Sequence, residues 1–209
     1  NRVISKSDRD GAATAYAYDP MSSLTNLTLP GGLQWRATYN NAGQRLKDWN
    51  MGGSSGTRTN TYAYFASGSP FAGLLQTRTD GRNTTCTYSY DDWLRVTSMA
   101  CSGSLAEQNL TTTWQYEPRG FVTNLAEQFA STNTGPDTSI QRSFDAYGQL
   151  SSESVSAGSF ASSAGQGWDA AGRRNYLGLG NGYGFGWRAD GTLSYVSDST
   201  GGGSYGYDS

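Results

Sequence analysis

The sequence predicts an all-β fold made of repeated antiparallel β-hairpins, and three observations carry that prediction. Glycine accounts for 28 of the 209 residues, and Ser, Thr and Asn are frequent, a composition that weakens helices and favours strands broken by turns. Fourteen Tyr and six Trp supply apolar surface that the few aliphatic residues do not. Aromatic residues spaced by two recur ahead of turn signals, as expected for strands with one apolar face.

Charge and hydropathy exclude two classes of partner. The formal net charge of −2 provides no basic surface for nucleic acid, and no stretch approaches the ~20 apolar residues of a membrane helix. We therefore expect no nucleic-acid partner and no membrane span. No signal sequence is visible, and SYGYDS ends the chain as another motif begins, so we expect the chain to be part of a longer one.

Each aromatic stretch ends in an anchor residue that is usually acidic. The stretch SFDAYGQL at 143–150 shows the pattern, which returns as YNNAGQRL, YEPRGF and WDAAGR. Anchors recur every 19 to 28 residues, which indicates a repeat. We predict one array of about eight hairpins over residues 1–209, with a ninth beginning at the last anchor. The anchors are Asp19, Asn40, Phe65, Asp91, Glu117, Asp145, Asp169, Arg188 and Asp208.

The aromatic residues before the anchors alternate along the chain, which places them on one face of a strand. Stacking of these rings across neighbouring strands would stabilise hairpins that are marginal alone. The repeat aromatics are Tyr16, Tyr18, Tyr62, Tyr64, Tyr88, Tyr90, Trp114, Tyr116, Phe144, Trp168, Phe185, Trp187, Tyr205 and Tyr207.

A type I turn is predicted after each anchor, because an acid or Asn at its first position accepts backbone N–H groups and Gly tolerates positive φ at the fourth. Since Asn40 and Arg188 occupy the anchor position without a carboxylate, we interpret the acid as a turn residue rather than a catalytic group. The turn glycines are Gly43, Gly68, Gly120, Gly148, Gly172 and Gly191. Connecting turns are predicted at Asp10-Gly11, Pro30-Gly31-Gly32, Asp80-Gly81 and Asn181-Gly182.

The segments YAYDPMSSL, YSYDDWLRV, FDAYGQL and WDAAGRR resemble the tyrosine-aspartate (YD) repeats of Rhs proteins, whose pattern is approximately Y-x-Y-D-x-x-G-R-L. The resemblance runs from about Ala12 to Ser209. Phe65 and Arg188 depart from it at the acid, and Ser22 and Leu94 at the glycine.

This resemblance implies a β-sheet that spirals into a hollow shell, of which this chain is either a wall segment or a short ribbon that closes or assembles differently. Relatives include polymorphic toxins, the B and C components of insecticidal toxin complexes, wall-associated proteins and teneurins. In the toxin members the repeats are the container of a C-terminal effector. The implied partner is therefore an enclosed effector or the remainder of the same longer chain.

The sequence has few of the residues that catalytic and metal sites commonly use. There is no His, which removes the usual Ser-His and Cys-His arrangements, and two Cys do not make a Cys₄ metal site. The glycines of GLGNGYGFG at 178–186 invite comparison with a phosphate-binding loop, but their alternation with aromatics favours a strand. We expect no catalytic residue, no cofactor and no metal.

The two cysteines flank the Asp91 turn almost symmetrically, so a hairpin of that register brings Cys86 opposite Cys101. A disulfide closing this ~15-residue loop would stabilise the fold by roughly 3 kcal/mol in the chain-entropy model. The alternative is two unpaired thiols in a cytosolic shell. We favour the disulfide, and with it an exported environment.

These observations favour a structural protein that encapsulates a toxin or effector and is secreted or displayed on the bacterial cell surface. The alternative is an extracellular adhesion or carbohydrate-binding module that self-assembles through open sheet edges, with another copy of itself or a surface glycan as partner. For ligand binding, the less regular aromatics Trp35, Trp49 and Tyr176 are the candidates.

Overall fold

The computed structural model describes residues 2–51, 57–130, 136–179, 181–198 and 201–204. It confirms the all-β class: these residues form eighteen strands and one short 3₁₀ helix, Ala106–Gln108. Strands that follow one another in the chain pair antiparallel, as in successive hairpins. By its contacts the chain divides into two compact units, Asn1–Thr111 and Thr112–Ser209.

The first unit contains nine strands among its described residues. They are β1 Ser5–Ser7, β2 Ala13–Tyr18, β3 Leu24–Thr28, β4 Gln34–Tyr39, β5 Arg45–Met51, β6 Arg58–Tyr64, β7 Leu75–Thr79, β8 Thr85–Tyr90 and β9 Val96–Ser102.

The second unit begins within β10 and continues the same succession of hairpins. Its strands are β10 Leu110–Tyr116, β11 Val122–Phe129, β12 Thr138–Phe144, β13 Leu150–Ala157, β14 Phe160–Trp168, β15 Arg174–Leu179, β16 Asn181–Trp187, β17 Leu193–Asp198 and β18 Gly201–Ser204.

The anchor turns share one backbone geometry. The N–H of the residue three positions after the anchor donates to the anchor carbonyl, and the anchor N–H donates to the carbonyl four positions on, as at Asp145, Gly148 and Gln149 (3.1 and 2.9 Å). The third residue after the anchor has positive φ, which makes a type I turn followed by a bulge, one of the common hairpin loops. The register shift that this bulge requires lies just before the anchor, between Ser143 and Phe144.

Gly43, Gly120, Gly148, Gly172 and Gly191 all occupy this left-handed position, with φ between 75° and 95°. Ser22 and Leu94 adopt the same conformation without being glycine, with φ of 72° and 64°. The turn found at Asp145 therefore also begins at six other anchors: Asp19, Asn40, Asp91, Glu117, Asp169 and Arg188.

The turn after Phe65 differs, and the prediction of Gly68 as its glycine is wrong. Phe65 N–H donates to the Leu74 carbonyl and Gly73 N–H donates to the Phe65 carbonyl, so the loop is longer by several residues. Positive φ falls at Gly73, with φ of 81°, and not at Gly68. The inserted residues move the bulge away from the position that the repeat pattern indicates.

The connecting turns repeat the anchor geometry at three of the predicted places. Asp8 caps the turn that contains Gly11, and Leu29 begins the one that contains Gly31 and Gly32. Asp80 begins the third such turn, which contains Gly81 and has Asn83 at its left-handed position.

The predicted turn at Asn181-Gly182 is wrong. These two residues begin β16 and pair with Leu179 and Gly178, so both lie in a strand.

Alternate residues of the strands differ in exposure, and the repeat aromatics occupy the half-buried face. In β2 the side chains of Tyr16 and Tyr18 are half-buried, whereas Ala15 and Ala17 are exposed. Among the described residues, Ala37 is the one fully buried apolar side chain, at 4% exposure. The sheet therefore buries its rings against neighbouring hairpins and not in a closed core.

Candidate functional surface

The anchor carboxylates and amide are used by the turns that they begin. Asp145 Oδ1 accepts the N–H groups of Tyr147 and Gln149, both at 2.9 Å. Equivalent pairs of bonds are made by Asn40, Asp91 and Asp169, and Asp19 accepts Ser23 N–H at 2.8 Å. The amide oxygen of Asn40 makes the same two bonds as a carboxylate, so these bonds do not depend on a negative charge.

Arg188 brings no acceptor to its turn, and Asp190 takes up part of that role. Asp190 Oδ1 accepts both the N–H and the hydroxyl of Thr192, at 2.9 and 2.7 Å. The Thr192 hydroxyl and N–H lower the pKa of Asp190 below its ordinary value.

The polar residue after the turn glycine joins its turn to the next one. Arg173 forms an ion pair with Asp169 at 2.7 Å and also donates to the Arg188 carbonyl at 2.9 Å. Gln44 Nε2 donates likewise to the Gly73 carbonyl. The sequence showed these residues as a motif, but their contact with the following repeat emerged only from the structure.

The last aromatic residue before an anchor ties its hairpin to the preceding one. Its polar hydrogen is donated to a backbone carbonyl 13 to 19 residues earlier, at 2.7–2.9 Å. Except for Val3, the acceptor is the first residue of an earlier return strand. The pairs are Tyr18 to Val3, Tyr39 to Leu24, Tyr64 to Arg45, Tyr90 to Leu75, Trp168 to Leu150 and Trp187 to Arg174.

This inter-hairpin bond gives the aromatic position a chemical requirement that alternation alone did not reveal. Both Tyr and Trp satisfy it, because each is an apolar ring that carries one donor at its tip. Burial raises the pKa of the Tyr64 and Tyr90 hydroxyls, so they remain protonated donors at neutral pH.

Phe144 has no donor and uses ring stacking instead. Its ring lies 4.8 Å from that of Phe121, with an interplanar angle of 23°. Phe65, an anchor that like Arg188 brings no acceptor, packs edge-on against Phe71 and Tyr90, at 5.6 and 6.1 Å. At Phe144 and Phe65, aromatic contact thus takes the place of a hydrogen bond.

Tyr62, Tyr88, Trp114, Tyr116 and Phe185 are also half-buried. Tyr205, Tyr207 and Asp208 lie outside the described residues.

Cys86 and Cys101 are register partners in β8 and β9, and a disulfide joins them with a Cα–Cα distance of 3.9 Å. The bond lies at the end of the hairpin opposite the Asp91 turn. It therefore closes the β8–β9 hairpin covalently where the strands would otherwise separate first.

A buried carboxylate in the first unit was not singled out by sequence reasoning. Asp48 is 5% exposed and accepts bonds from Asn60 Nδ2 and the Tyr62 hydroxyl, both at 2.8 Å, with Arg45 at 3.3 Å. Asp48 and Asn60 face each other in the β5–β6 register. Burial raises the pKa of Tyr62, as do its bond to Asp48 and the charge of Asp48, so it remains the donor.

Hydrogen bonds and charge satisfy the buried Asp48 carboxylate on several sides, which is the ordinary condition for a buried acid. We assign it a structural role in holding β5 to β6. A signal was present in the sequence, because Asp48 falls in a strand where an apolar or aromatic residue is expected.

The glycine-rich stretch at 178–186 lies in β15 and β16. The side chain of Tyr176 lies over the backbone of Gly178 and Gly182. An added Cβ would stand 2.7 Å from the Tyr176 hydroxyl oxygen at Gly178 and 2.8 Å from a ring carbon of Tyr176 at Gly182. Gly178 pairs with Gly165 and Gly182, so three strands present bare backbone at this level. The glycines make room for an aromatic ring, which is how a sheet covers weak glycine positions.

Trp35 and Trp49, the remaining ligand candidates, are half-buried and lie beside cations. The guanidinium of Arg45 is 5.4 Å from the Trp35 ring, and the ammonium of Lys47 is 5.1 Å from the Trp49 ring. Each cation occupies ring surface that would otherwise be open to a sugar.

Within the described ranges, no three His, Cys, Asp or Glu side chains are grouped so as to hold a metal ion. The helix among these residues is too short to cross a membrane.

No family model and no curated protein matches the sequence. Solved structures do match in fold. The chain is similar to the crystal structure of TcdB2-TccC3, and to that of TcdB2-TccC3-Cdc42, each with a TM-score of 0.66 and 13% identity. It is also similar to the Tc holotoxin pore of Photorhabdus luminescens, with a TM-score of 0.65 and 13% identity.

In all three comparisons the match covers 91% of this chain and 12% of the other. This chain therefore spans about an eighth of the length of the toxin chains that it resembles. At this level of identity the similarity shows the fold.

Proposed function

We propose that this chain is a wall segment of a β-shell belonging to an exported or surface-displayed carrier of a toxin or effector. The observation that carries the proposal is the fold match over 91% of the chain to 12% of much longer toxin chains. The YD-type repeats point independently to the same class of protein. The disulfide supports an oxidising, exported environment.

The function of such a wall is exclusion, and no residue of it acts in catalysis. Paired strands satisfy their backbone groups and leave few places where a protease can draw an extended segment into its active site. The aromatic donors and the turn-to-turn bonds of Gln44, Arg119 and Arg173 hold neighbouring hairpins in register. The partner of the wall is a passenger polypeptide, either the remainder of the same chain or a C-terminal effector.

Protease protection in the full-length protein from its source tests this function. One protease-recognition sequence is inserted into the passenger, and a matched control sequence is inserted beside Tyr147, a turn-tip residue that is 90% exposed. We expect rapid cleavage at the turn tip and slow cleavage in the passenger until denaturant opens the shell. Equal cleavage rates, or a native mass close to that of 209 residues, would contradict the proposal.

The second candidate is surface adhesion, and it rests on aromatic rings at turn tips. Tyr147 and Trp93 each stand two residues after an anchor and are 90% and 71% exposed. The guanidinium of Arg95 lies 4.7 Å from the Trp93 ring, so Tyr147 is the more open of the two rings. Exposed rings of this kind stack on sugars or on a partner surface. Trp93→Ala and Tyr147→Ala would then abolish binding to a glycan array or to the source cell surface, while leaving protease protection intact.

A further inference from the structure

Three arginines of the first unit line one hollow of about 180 Å³ between β5, β6, β7 and the turn that begins at Asp80. They are Arg58, Arg78 and Arg82, and the amides of Asn50 and Asn60 lie beside them. The sequence separates these arginines by up to 24 residues, so only strand pairing brings them to one place.

The register explains this arrangement. Arg58 pairs with Asn50 across β5 and β6, and Arg78 pairs with Tyr62 across β6 and β7. Because Arg58 and Tyr62 are four residues apart in one strand, they lie on the same face, and Arg78 shares that face.

Arg82 reaches the hollow through the turn. Gly81 packs so closely on β6 that an added Cβ would stand 2.9 Å from the Cβ of Arg58 and 3.2 Å from the Thr59 nitrogen. Gly81 does not have positive φ, so it is this close contact, and not turn geometry, that requires a glycine.

The positive charge in the hollow is not neutralised by the described protein. Arg58, Arg78 and Arg82 are exposed and form no ion pair within the described ranges. Asp80 brings one negative charge against three positive ones, and its Oδ1 accepts the N–H groups of Arg82 and Thr84.

The other carboxylates near the hollow do not neutralise its excess positive charge. The buried Asp48 is engaged by Arg45, Asn60 and Tyr62. Glu107 lines a separate, adjoining hollow with Arg82 and forms no ion pair with it. The pKa of Asp80 is lowered. Burial tends to raise it, but the N–H groups of Arg82 and Thr84 and the charges of Arg82 and Arg78 outweigh that effect.

We propose that this hollow binds a compact oxyanion with two or more charges, a phosphate or sulfate group that is free or carried by a larger ligand. Its volume is below the roughly 300–1,000 Å³ of sites for drug-sized ligands, which fits one such group. Guanidinium groups present paired N–H donors that match the oxygens of phosphate and sulfate. The inference does not depend on the wall function, because it concerns one surface of one unit.

Isothermal titration of the 209-residue chain with sodium phosphate, and separately with sodium sulfate, tests it at pH 7 and constant ionic strength. Arg58→Gln and Arg82→Gln should each weaken binding about tenfold or more, since each removes a charge-assisted contact. Arg36→Gln is the matched control, because Arg36 is an exposed strand arginine of the same unit that bonds to Gln34 and does not line the hollow. The anion that binds more tightly identifies the chemical class of the ligand.

Two further variants keep the test independent of folding. Gly81→Ala retains all three charges but pushes the turn from β6, so it should weaken binding as well. Arg58→Lys retains the charge but lacks the paired N–H donors of a guanidinium group, so it should bind with intermediate affinity. Circular dichroism checks the fold of each variant. The proposal is overturned if the parent chain shows no saturable binding in the millimolar range, or if Arg36→Gln weakens binding as much as Arg58→Gln. Either result leaves the wall function untouched.

Discussion

The hairpins built on Asp91 and Asp169 have the same turn but are closed differently at their far ends. In both, the anchor carboxylate accepts two backbone N–H groups at 2.9–3.0 Å and pairs with an arginine four residues later at 2.6 or 2.7 Å. At the far end, β8 and β9 are joined by a disulfide, whereas β14 and β15 place Gly165 opposite Gly178.

The two turns differ at the left-handed position, which is Leu94 in one and Gly172 in the other. Leu94 is 52% exposed, so burial of its side chain does not explain its presence there. The comparison shows that the same acid and backbone bonds occur with either Leu or Gly at the left-handed position. It also shows that one hairpin is closed covalently and the other by packing of the Tyr176 ring.

Removal of the disulfide should produce the largest difference between the two hairpins. Cys86→Ser together with Cys101→Ser releases a loop of about 15 residues and should lower the free energy of unfolding by about 3 kcal/mol. Hydrogen exchange should accelerate in residues 85–102 and remain unchanged in 160–179. A reducing agent should reproduce the effect in the parent chain and have none in the variant. Faster exchange in both hairpins to the same extent would mean that the disulfide does not act locally.

An exchange of the left-handed residues should have an intermediate effect. Gly172→Leu should lower the free energy of unfolding by about 1–2 kcal/mol, because a Cβ is disfavoured at positive φ. Leu94→Gly should raise it by less than about 1 kcal/mol, since the entropy of glycine in the unfolded chain offsets part of the relief. Urea unfolding measures both. Equal and negligible changes would mean that the turns relax to another conformation.

Lowering the pH should destabilise both turns, and this is the smallest of the three expected effects. Burial tends to raise the pKa of Asp91, but the side chain, N–H and charge of Arg95 and the N–H of Trp93 leave it lowered. At Asp169 the N–H and side chain of Arg173 lower the pKa.

A lowered pKa means that each carboxylate stabilises the fold fully above the ordinary carboxyl value of about 3.9, and that this contribution is lost as the pH falls through the lower folded-state value. Asp91→Asn and Asp169→Asn should therefore flatten the loss of stability below about pH 4, while changing the urea midpoint at pH 7 less than either change above. Asp92→Asn, at an exposed neighbour, is the control. An unchanged pH profile in both variants would show that these ion pairs contribute nothing.

Sequence reasoning succeeded where the cause is local. The turn after Asp145 follows from an acid and a glycine three residues apart, and the pairing of Cys86 with Cys101 follows from their near-equal distance from one turn. It failed at Gly68, because an insertion after Phe65 moved the bulge to Gly73. It also failed at Asn181-Gly182, because both residues pair with the neighbouring strand as part of β16.

By itself the sequence determined the all-β class, the repeat and the placement of the aromatic rings of a strand on one common face, because alternation and turn chemistry act over a few residues. Only the tertiary structure decided which carbonyl each Tyr or Trp donor reaches, which groups satisfy Asp48, and that Arg58, Arg78 and Arg82 line one hollow. Apart from Arg45 with Asp48 and Arg78 with Arg82, these contacts join residues 12 to 24 positions apart, and they depend on strand register. A shift of register by one residue moves every side chain to the opposite face, so no local pattern specifies them.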